Sequence, residues 1–354
     1  MAFLKFLLRR LAAIPITLLV ITAALYGIVM LSAPEERASL YFPPRLPSYI
    51  SPERMAVIVN QIIAEHHLDD PYWRQYGRWV LELLRGDWGY SPTYNSEVLP
   101  LLRRRALVTA ELTLYTLAFI VPLGLVSGVI SGWRELRFSD HIFRALAFIA
   151  TALPPFILGI ILLSIFYVGL YWFLPGRTSF QNLFLPNSDF VSYTGFITLD
   201  GLLNGRLDVT LDAFRHLALP VVTLGLLHWA TLGRITRAAM IEEKQEDYVI
   251  AARARGLTER LVIWRHAFRN AMLPAFTSSV LSAASLITGA FVVEIIFNIK
   301  GLSEIVTRGM EDIPDAGLAL GFAVFSVLIV IPIMILFDVL KALVDPRISE
   351  EEIK

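Results

Sequence analysis

The sequence contains no cysteine. That excludes a disulfide-stapled scaffold and any zinc or iron–sulfur centre held by thiolates, and it leaves the redox compartment open. Charge is scarce. Asp, Glu, Lys and Arg make up 18% of the 354 residues, where a soluble domain carries about one quarter. The charge present is balanced, 31 basic residues against 31 acidic, so there is no strong field to hold nucleic acid. No Gly-Lys pair occurs, hence no G-x-x-x-x-G-K-[ST] phosphate loop, and this chain cannot itself hydrolyse ATP through one. Neither G-x-S-x-G nor H-E-x-x-H is present, which leaves intramembrane hydrolysis unsupported. What the chain has in abundance is apolar surface: 56% hydrophobic residues and a mean hydropathy of +0.61. Disorder needs the opposite composition. A membrane protein fits.

A helix crosses the hydrocarbon in roughly 17–25 residues. Six runs free of Asp, Glu, Lys and Arg qualify: 11–34, 112–133, 145–176, 216–233, 270–293 and 316–337. The third contains Leu153-Pro154-Pro155, which predicts a kink or strong tilt. The fourth is the shortest and carries His228. The first run is too long for a signal-peptide core and lacks a small-x-small cleavage site, so a retained helix is expected. Lys5, Arg9 and Arg10 precede it. Arg134, Arg137 and Arg144 follow the second run, and a basic stretch from Arg234 to Arg269 follows the fourth. The segment after the fifth carries Glu304, Glu311, Asp312 and Asp315. Basic loops stay in the cytoplasm, so both termini are expected there. Arg103-Arg104-Arg105 is the misfit, since it falls at the end of an expected external loop.

That external loop covers residues 35–106. Ser51-Pro52-Glu53 reads as a helix start, as does Asp70-Pro71. Tyr72, Tyr76, Trp79, Val80 and Leu83 then share one helical face, and Arg85-Gly86 ends the helix. The expected role is an amphipathic helix against membrane or bundle; docking of an external partner is the sharper alternative. His66-His67-Leu68-Asp69-Asp70 is a poor metal cluster, because adjacent side chains leave a helix on different faces. A second external loop, 177–215, contains an Asn204-Gly205 turn. Glu294 is expected at the outer end of the fifth span, at the interface rather than on substrate.

The stretch 234–273 carries the most information. Asp247 to Arg255 holds good helix formers, and Gly256 supplies a left-handed stop. Thr258 can cap a second helix, in which Leu261, Trp264, Phe268 and Met272 share a face. Arg265 and Arg269 follow four-residue spacing on another face, and Pro274 opens the fifth span. On these grounds alone the segment is a basic loop of two short helices joined at a glycine, which anionic lipid would also hold.

Its residues carry a specific resemblance. Asp247-Tyr248-Val249-Ile250-Ala251-Ala252-Arg253-Ala254-Arg255-Gly256-Leu257, followed by Arg265-His266-Ala267-Phe268-Arg269-Asn270-Ala271-Met272-Leu273-Pro274, resembles the cytoplasmic signature of binding-protein-dependent ABC importer permeases. The form is that of the dipeptide/oligopeptide/nickel branch. Phe6 to Leu11, Arg85 to Ser91, Leu153-Pro154, Gly301-Leu302 and Leu343 to Arg347 extend the likeness along the chain. Ile250 departs from the glutamate common in the wider superfamily. Leu31 to Glu36, with an insertion holding Pro43, Pro44 and Pro47, departs from the branch's Pro-Gly-Asp-Pro.

The resemblance implies an all-α membrane protein with six transmembrane helices in the type I ABC importer permease architecture. It has an external helical excursion between the first two. The expected division is residues 1–34 for the tail and first helix, 35–106 for the excursion, 107–343 for the permease core and 344–354 for a cytoplasmic tail. Coupling helices fall at about 242–273, seated in a groove on an ATPase. Their expected residues are Asp247, Tyr248, Ala251, Ala252, Arg253, Ala254, Gly256, Leu257, Arg265, His266, Arg269, Asn270 and Pro274. Of these, Tyr248 would be an apolar anchor along with Phe268 and Met272. Arg253, Arg265 and Arg269 would supply charge. The implied partners are a second, related permease, two ATPase subunits that bind ATP and magnesium, an external substrate-binding protein and lipid. The chain itself would hold no cofactor or metal and catalyse nothing. Peptides are the implied cargo, with oligosaccharides or nickel as branch alternatives. An ion-coupled secondary transporter is the competing class, but it calls for intramembrane carboxylates or inverted repeats. The six runs hold no carboxylate, and no repeat is visible.

Overall fold

The computed structural model of the chain describes residues 2–41, 50–179, 190–309 and 315–344. Pro43, Pro44, Pro47, Glu311, Asp312 and residues 345–354 lie outside the described residues. The fold is helical, and the strands among the described residues are two of two residues each. The described residues divide into two compact units, one within 1–106 and 302–336, the other within 107–301 and 337–344.

In the first unit, α1 (Ala2–Val29) is followed by a single turn, α2 (Pro34–Arg37), begun by proline at its first position. α3 (Pro52–His66) starts as its sequence predicts: the Ser51 hydroxyl accepts from Arg54 N at 3.4 Å, and Pro52 sits at the first helical position. α4 (Tyr72–Arg85) differs from expectation. Pro71, not Asp70, holds the cap position, and the Asp70 carboxylate accepts from Arg78 Nη1 at 2.6 Å instead. Gly86, at φ 88°, ends α4: Gly86 N donates to Leu83 O and Asp87 N to Glu82 O.

The aromatic face of α4 docks on α1. Tyr72, Tyr76 and Trp79 surround Tyr26 with ring centroids 6.0, 5.9 and 4.9 Å away. The Tyr72 hydroxyl donates to Ala23 O at 2.5 Å, and Tyr76 shares a 2.8 Å bond with Thr22. A short hairpin, β1 (Tyr90–Ser91) with β2 (Ser96–Glu97), leads into α5 (Val98–Trp133). Ser91 donates to Asp315 at 2.5 Å, and Asp315 accepts from Leu318 N at 2.9 Å, capping α14 (Ala316–Val344). α13 (Leu302–Gly309) precedes it. The basic triplet that strained the topology reading lies on the first turns of α5. Its Arg105 pairs with Glu304 at 2.7 Å, so that charge is neutralised in place.

The second unit is built on α9 (Leu207–Glu243), whose 37 residues extend roughly 55 Å at 1.5 Å each, well beyond a hydrocarbon layer. The shortest apolar run in the sequence is thus the middle of one of the longest helices. α9 packs chiefly against α12 (Phe268–Ile296), and also against α8 (Ile197–Leu203), α6 (Phe138–Ala152) and α7 (Pro155–Leu163). α5 crosses it on a glycine stripe. A Cβ on Gly128 would lie 2.6 Å from Gly233 O, and one on Gly132 would lie 2.6 Å from Arg237 O. Glycines four apart are what lets two spanning backbones touch. Leu153-Pro154 makes a break rather than a kink: α6 ends at Ala152, α7 starts at Pro155, and the two are bent by 99°.

By length and composition, α5 and α9 each suffice to cross a membrane, and the bent α6–α7 pair adds a third candidate. Ile14–Val29 and Gly317–Ile331 are shorter apolar stretches. The architecture is that of a multi-pass membrane protein.

Candidate functional site

The signature segment folds as α10 (Asp247–Ala254), a glycine turn, α11 (Glu259–Leu261), a widened π turn (Val262–Ala267), and then α12. The turn has a defined geometry. Gly256 sits at φ 77°, Gly256 N donates to Arg253 O at 2.9 Å, and Leu257 N reaches back to Ala252 O at 3.4 Å. This is the left-handed helix stop that glycine adopts without strain. No neighbour would obstruct a Cβ there, so the backbone angle alone selects glycine.

Two expectations change. Thr258 takes the cap conformation but makes no side-chain cap bond. Pro274 does not open a span. It lies inside α12, and the second short helix continues into that long helix through the π turn. Widened turns of this kind recur at functional positions.

One face of the segment is packed. Val249 and Val262 are fully buried with Ala252, Ala267 and Ala271, against Val129 of α5 and Met240 of α9. Each buried valine contributes about 1.5–3 kcal/mol. The expected small residues divide: Ala252 is buried, Ala251 half-buried and Ala254 exposed. Leu257 packs on the same cluster as Tyr248 and Phe268. The Tyr248 hydroxyl donates to the Glu243 carboxylate and accepts from the Asn270 amide, which ties α9, α10 and α12 together. Burial, with Glu243 beside it, pushes the phenol up to about 12.

Arg253 is already committed within the chain. Its guanidinium lies 4.8 Å from the Trp133 ring and donates to Glu259 at 3.1 Å. Trp133, the last residue of α5, also accepts from Lys244 Nζ at 3.4 Å. The sequence reading did not single out Trp133.

The other face is open. Leu261, Trp264 and Met272 are exposed, and Trp264 meets Phe268 edge-to-face at 5.3 Å. Thr258, Arg260, Leu261, Trp264 and Arg265 line a shallow depression. Asp247, Arg269, Asn270 and Pro274 are also exposed, and His266 is half-buried. An exposed tryptophan and leucine among arginines have the composition of an interface core with a charged rim.

A second element missed in the sequence braces this segment. Arg237 of α9 holds Asp140 at the start of α6 in a two-pronged pair, 2.6 and 2.8 Å. Ser131 Oγ and Leu136 N donate to the same carboxylate, which is fully buried. The signal was present as an acid, Asp140, at the end of a connection that carries Arg134 and Arg137.

The chain matches the family described as binding-protein-dependent transport system inner membrane component over residues 120–350, which includes the whole segment. The chain belongs to this family. It is 32% identical over 352 residues to the dipeptide transport system permease protein DppB of Escherichia coli (strain K12), covering 99% of this chain and 100% of the relative. It is 30% identical to the di/tripeptide transport system permease protein DppB of Pseudomonas aeruginosa (strain UCBPP-PA14), over 98% of this chain and 99% of the relative. The dipeptide permease DppB of Alkalihalophilus pseudofirmus is 30% identical over 284 residues, 80% of this chain and 83% of the relative. The chain is therefore a permease subunit of an ABC importer, embedded in a membrane, and a transport component rather than an enzyme.

The ion-coupled alternative has no support in this permease. The buried carboxylates are occupied structurally. Glu111 accepts from Thr198 N at 3.0 Å and from Arg177 at 2.5 Å. Glu294 was expected at the interface; it is fully buried, accepts from Thr109 at 2.5 Å, and fills the space where a Cβ on Gly301 would stand. Among the described residues no group of His, Asp and Glu could hold a metal, and His66 instead stacks on Tyr41 at 3.8 Å.

Proposed function

We propose that this permease forms half of the pathway of an ATP-driven peptide importer, paired with a second, related permease. Two ATPase subunits supply hydrolysis with their own ATP and magnesium, and an external binding protein delivers cargo. The chain crosses the membrane six times with both termini in the cytoplasm, and residues 35–106 lie outside. Peptide as cargo is supported by the relatives, whose names specify dipeptides and di/tripeptides.

The observation that carries the reading is the open face of the signature segment. Exposed Leu261 and Trp264 stand beside Arg260 and Arg265 on a scaffold that is otherwise packed on its own chain. Such a face needs a partner. In this reading the π turn and α10 sit in an ATPase groove. Because α11 and the π turn run without interruption into α12, motion of the ATPase pair moves a spanning helix directly. Gly256 sets the angle between α10 and that helix. Asp247, Tyr248, Ala251, Ala252, Arg253, Ala254, Leu257, His266, Arg269, Asn270 and Pro274 shape or border the seat.

The test is purification of the tagged permease from its native membrane in mild detergent, with mass spectrometry of stoichiometric partners. Recovery of two ATPase chains and a second permease is expected. Recovery of the chain alone, with no ATPase regained on adding nucleotide and cross-linker, overturns the reading.

A further inference from the structure

The first unit contains a cavity of about 710 Å³ that the transport reading does not use. It lies between the C-terminal end of α1, at Tyr26, and the N-terminal end of α14, at Gly317, Leu320 and Gly321. Both are ends of apolar helices, so the cavity stands at the level where spanning helices leave hydrocarbon. Tyr26, Tyr41, Trp79 and Trp88 supply aromatic walls, and the carboxylates are Glu82, Asp87 and Glu97. Arg85 and His66 are the basic groups on the lining.

Glu82 and Arg85 are three apart on α4 and so share a face, yet they form no ion pair among the described residues. Burial, with Asp87 near it, pushes the Glu82 carboxyl up, and no described residue hydrogen-bonds to it. Aromatic faces beside an unpaired carboxylate attract an ammonium group. Arg85, one turn on, offers a planar fork to a phosphate. The outward face of the same helix exposes Trp73, Leu81 and Leu84, a pattern suited to acyl chains.

We propose that this cavity binds the headgroup of a zwitterionic phospholipid bearing a primary ammonium, phosphatidylethanolamine in its chemistry. The ammonium lies against Glu82 and the Trp79 and Tyr26 rings, and the phosphate meets Arg85. A short peptide also carries an ammonium and an anion. The lipid is favoured by the position at the ends of spanning helices and by the apolar outer face of α4.

The experiment reconstitutes the intact importer into nanodiscs of equal phosphatidylethanolamine and phosphatidylglycerol. Lipid retained after detergent release is then quantified by mass spectrometry. Wild type should enrich phosphatidylethanolamine, Glu82→Gln should lose that enrichment by roughly tenfold, and exposed Glu53→Gln should keep it. Equal retention of the two lipids by wild type overturns the proposal, as does unchanged enrichment in Glu82→Gln. Competition on the wild-type complex needs no variant: millimolar dialanine should leave the retained lipid unchanged. Displacement by dialanine would assign the cavity to peptide and overturn the lipid assignment.

Discussion

The two ends of α9 are finished in opposite ways. At its N-terminal end, charge is closed in on itself. Asp212 accepts from Thr178 Oγ1 and from Ser179, Asp200 accepts from Ser192, Thr194 and Gly195, and Glu111 is held by Arg177 and Thr198. Its C-terminal end leads into a segment that buries its valines and alanines and leaves Leu261, Trp264, Arg265 and Arg269 facing outward. The first arrangement needs no partner. The second has apolar surface and cations in excess of what its own chain uses. A closed polar network fixes a fold, whereas an open mixed surface marks a joint.

Substitutions can break that contrast. The largest effect is expected at the closed end. Glu111→Ala leaves Arg177 facing a desolvated gap and should cost about 3 kcal/mol, read as a drop in thermal unfolding midpoint of the purified complex. At the crossing of α5 and α9, Gly128→Val drives a methyl-bearing carbon to 2.6 Å from Gly233 O and should cost about 2 kcal/mol, read as a smaller drop in the same unfolding midpoint. The open end should behave differently. Trp264→Ala should weaken ATPase association by about 2 kcal/mol, roughly thirtyfold, while shifting the isolated permease's unfolding midpoint hardly at all. A midpoint shift as large as that of Glu111→Ala would erase the contrast.

Substitutions at two further positions, with smaller effects on stability, sharpen it. Gly256→Ala forces an L side chain to φ 77° in open space and should cost about 1 kcal/mol from the backbone alone, with coupling of ATP hydrolysis to transport reduced. Gly256→Pro, which cannot take a positive φ, should abolish coupling; unchanged coupling would sink the hinge role. Tyr248→Phe removes one bridging hydroxyl and should cost about 1 kcal/mol at neutral pH. The Tyr248 phenol is raised in the folded state from 10.0 to about 12, so its contribution is complete below pH 10. It is lost as pH climbs from 10 through 12, and the difference between wild type and Tyr248→Phe should vanish there.

Much of this was legible in the residues. Apolar runs and capping signals announced a helical membrane protein, and Gly256 marked its turn, because those features are local. The π turn was not legible. Thr258 and Pro274 suggested a separate short helix, but packing of Val262, Ala267 and Ala271 on α5 and α9 carries the helix straight through. The 99° bend at Leu153-Pro154 exceeded a kink because two consecutive prolines remove two successive amide donors. Tertiary pairs were the least visible. Asp140 with Arg237, and Arg253 over Trp133, join positions far apart in the chain. The stripe Gly124, Gly128, Gly132 was readable as a close helix crossing, and its four-residue spacing is the signal that was overlooked.

The open face of the π turn is the proposed seat of an ATPase. The chain has no cysteine, so an introduced thiol is unique. The most direct measurement is cross-linking of Leu261→Cys and Trp264→Cys permeases in native membranes with a short thiol-to-amine reagent, with Trp73→Cys as the comparison. An ATPase adduct is expected from the first two, changing in yield when ATP is added, and none from the third. Absence of an ATPase adduct at both Leu261 and Trp264, or an equal adduct from Trp73, would contradict it.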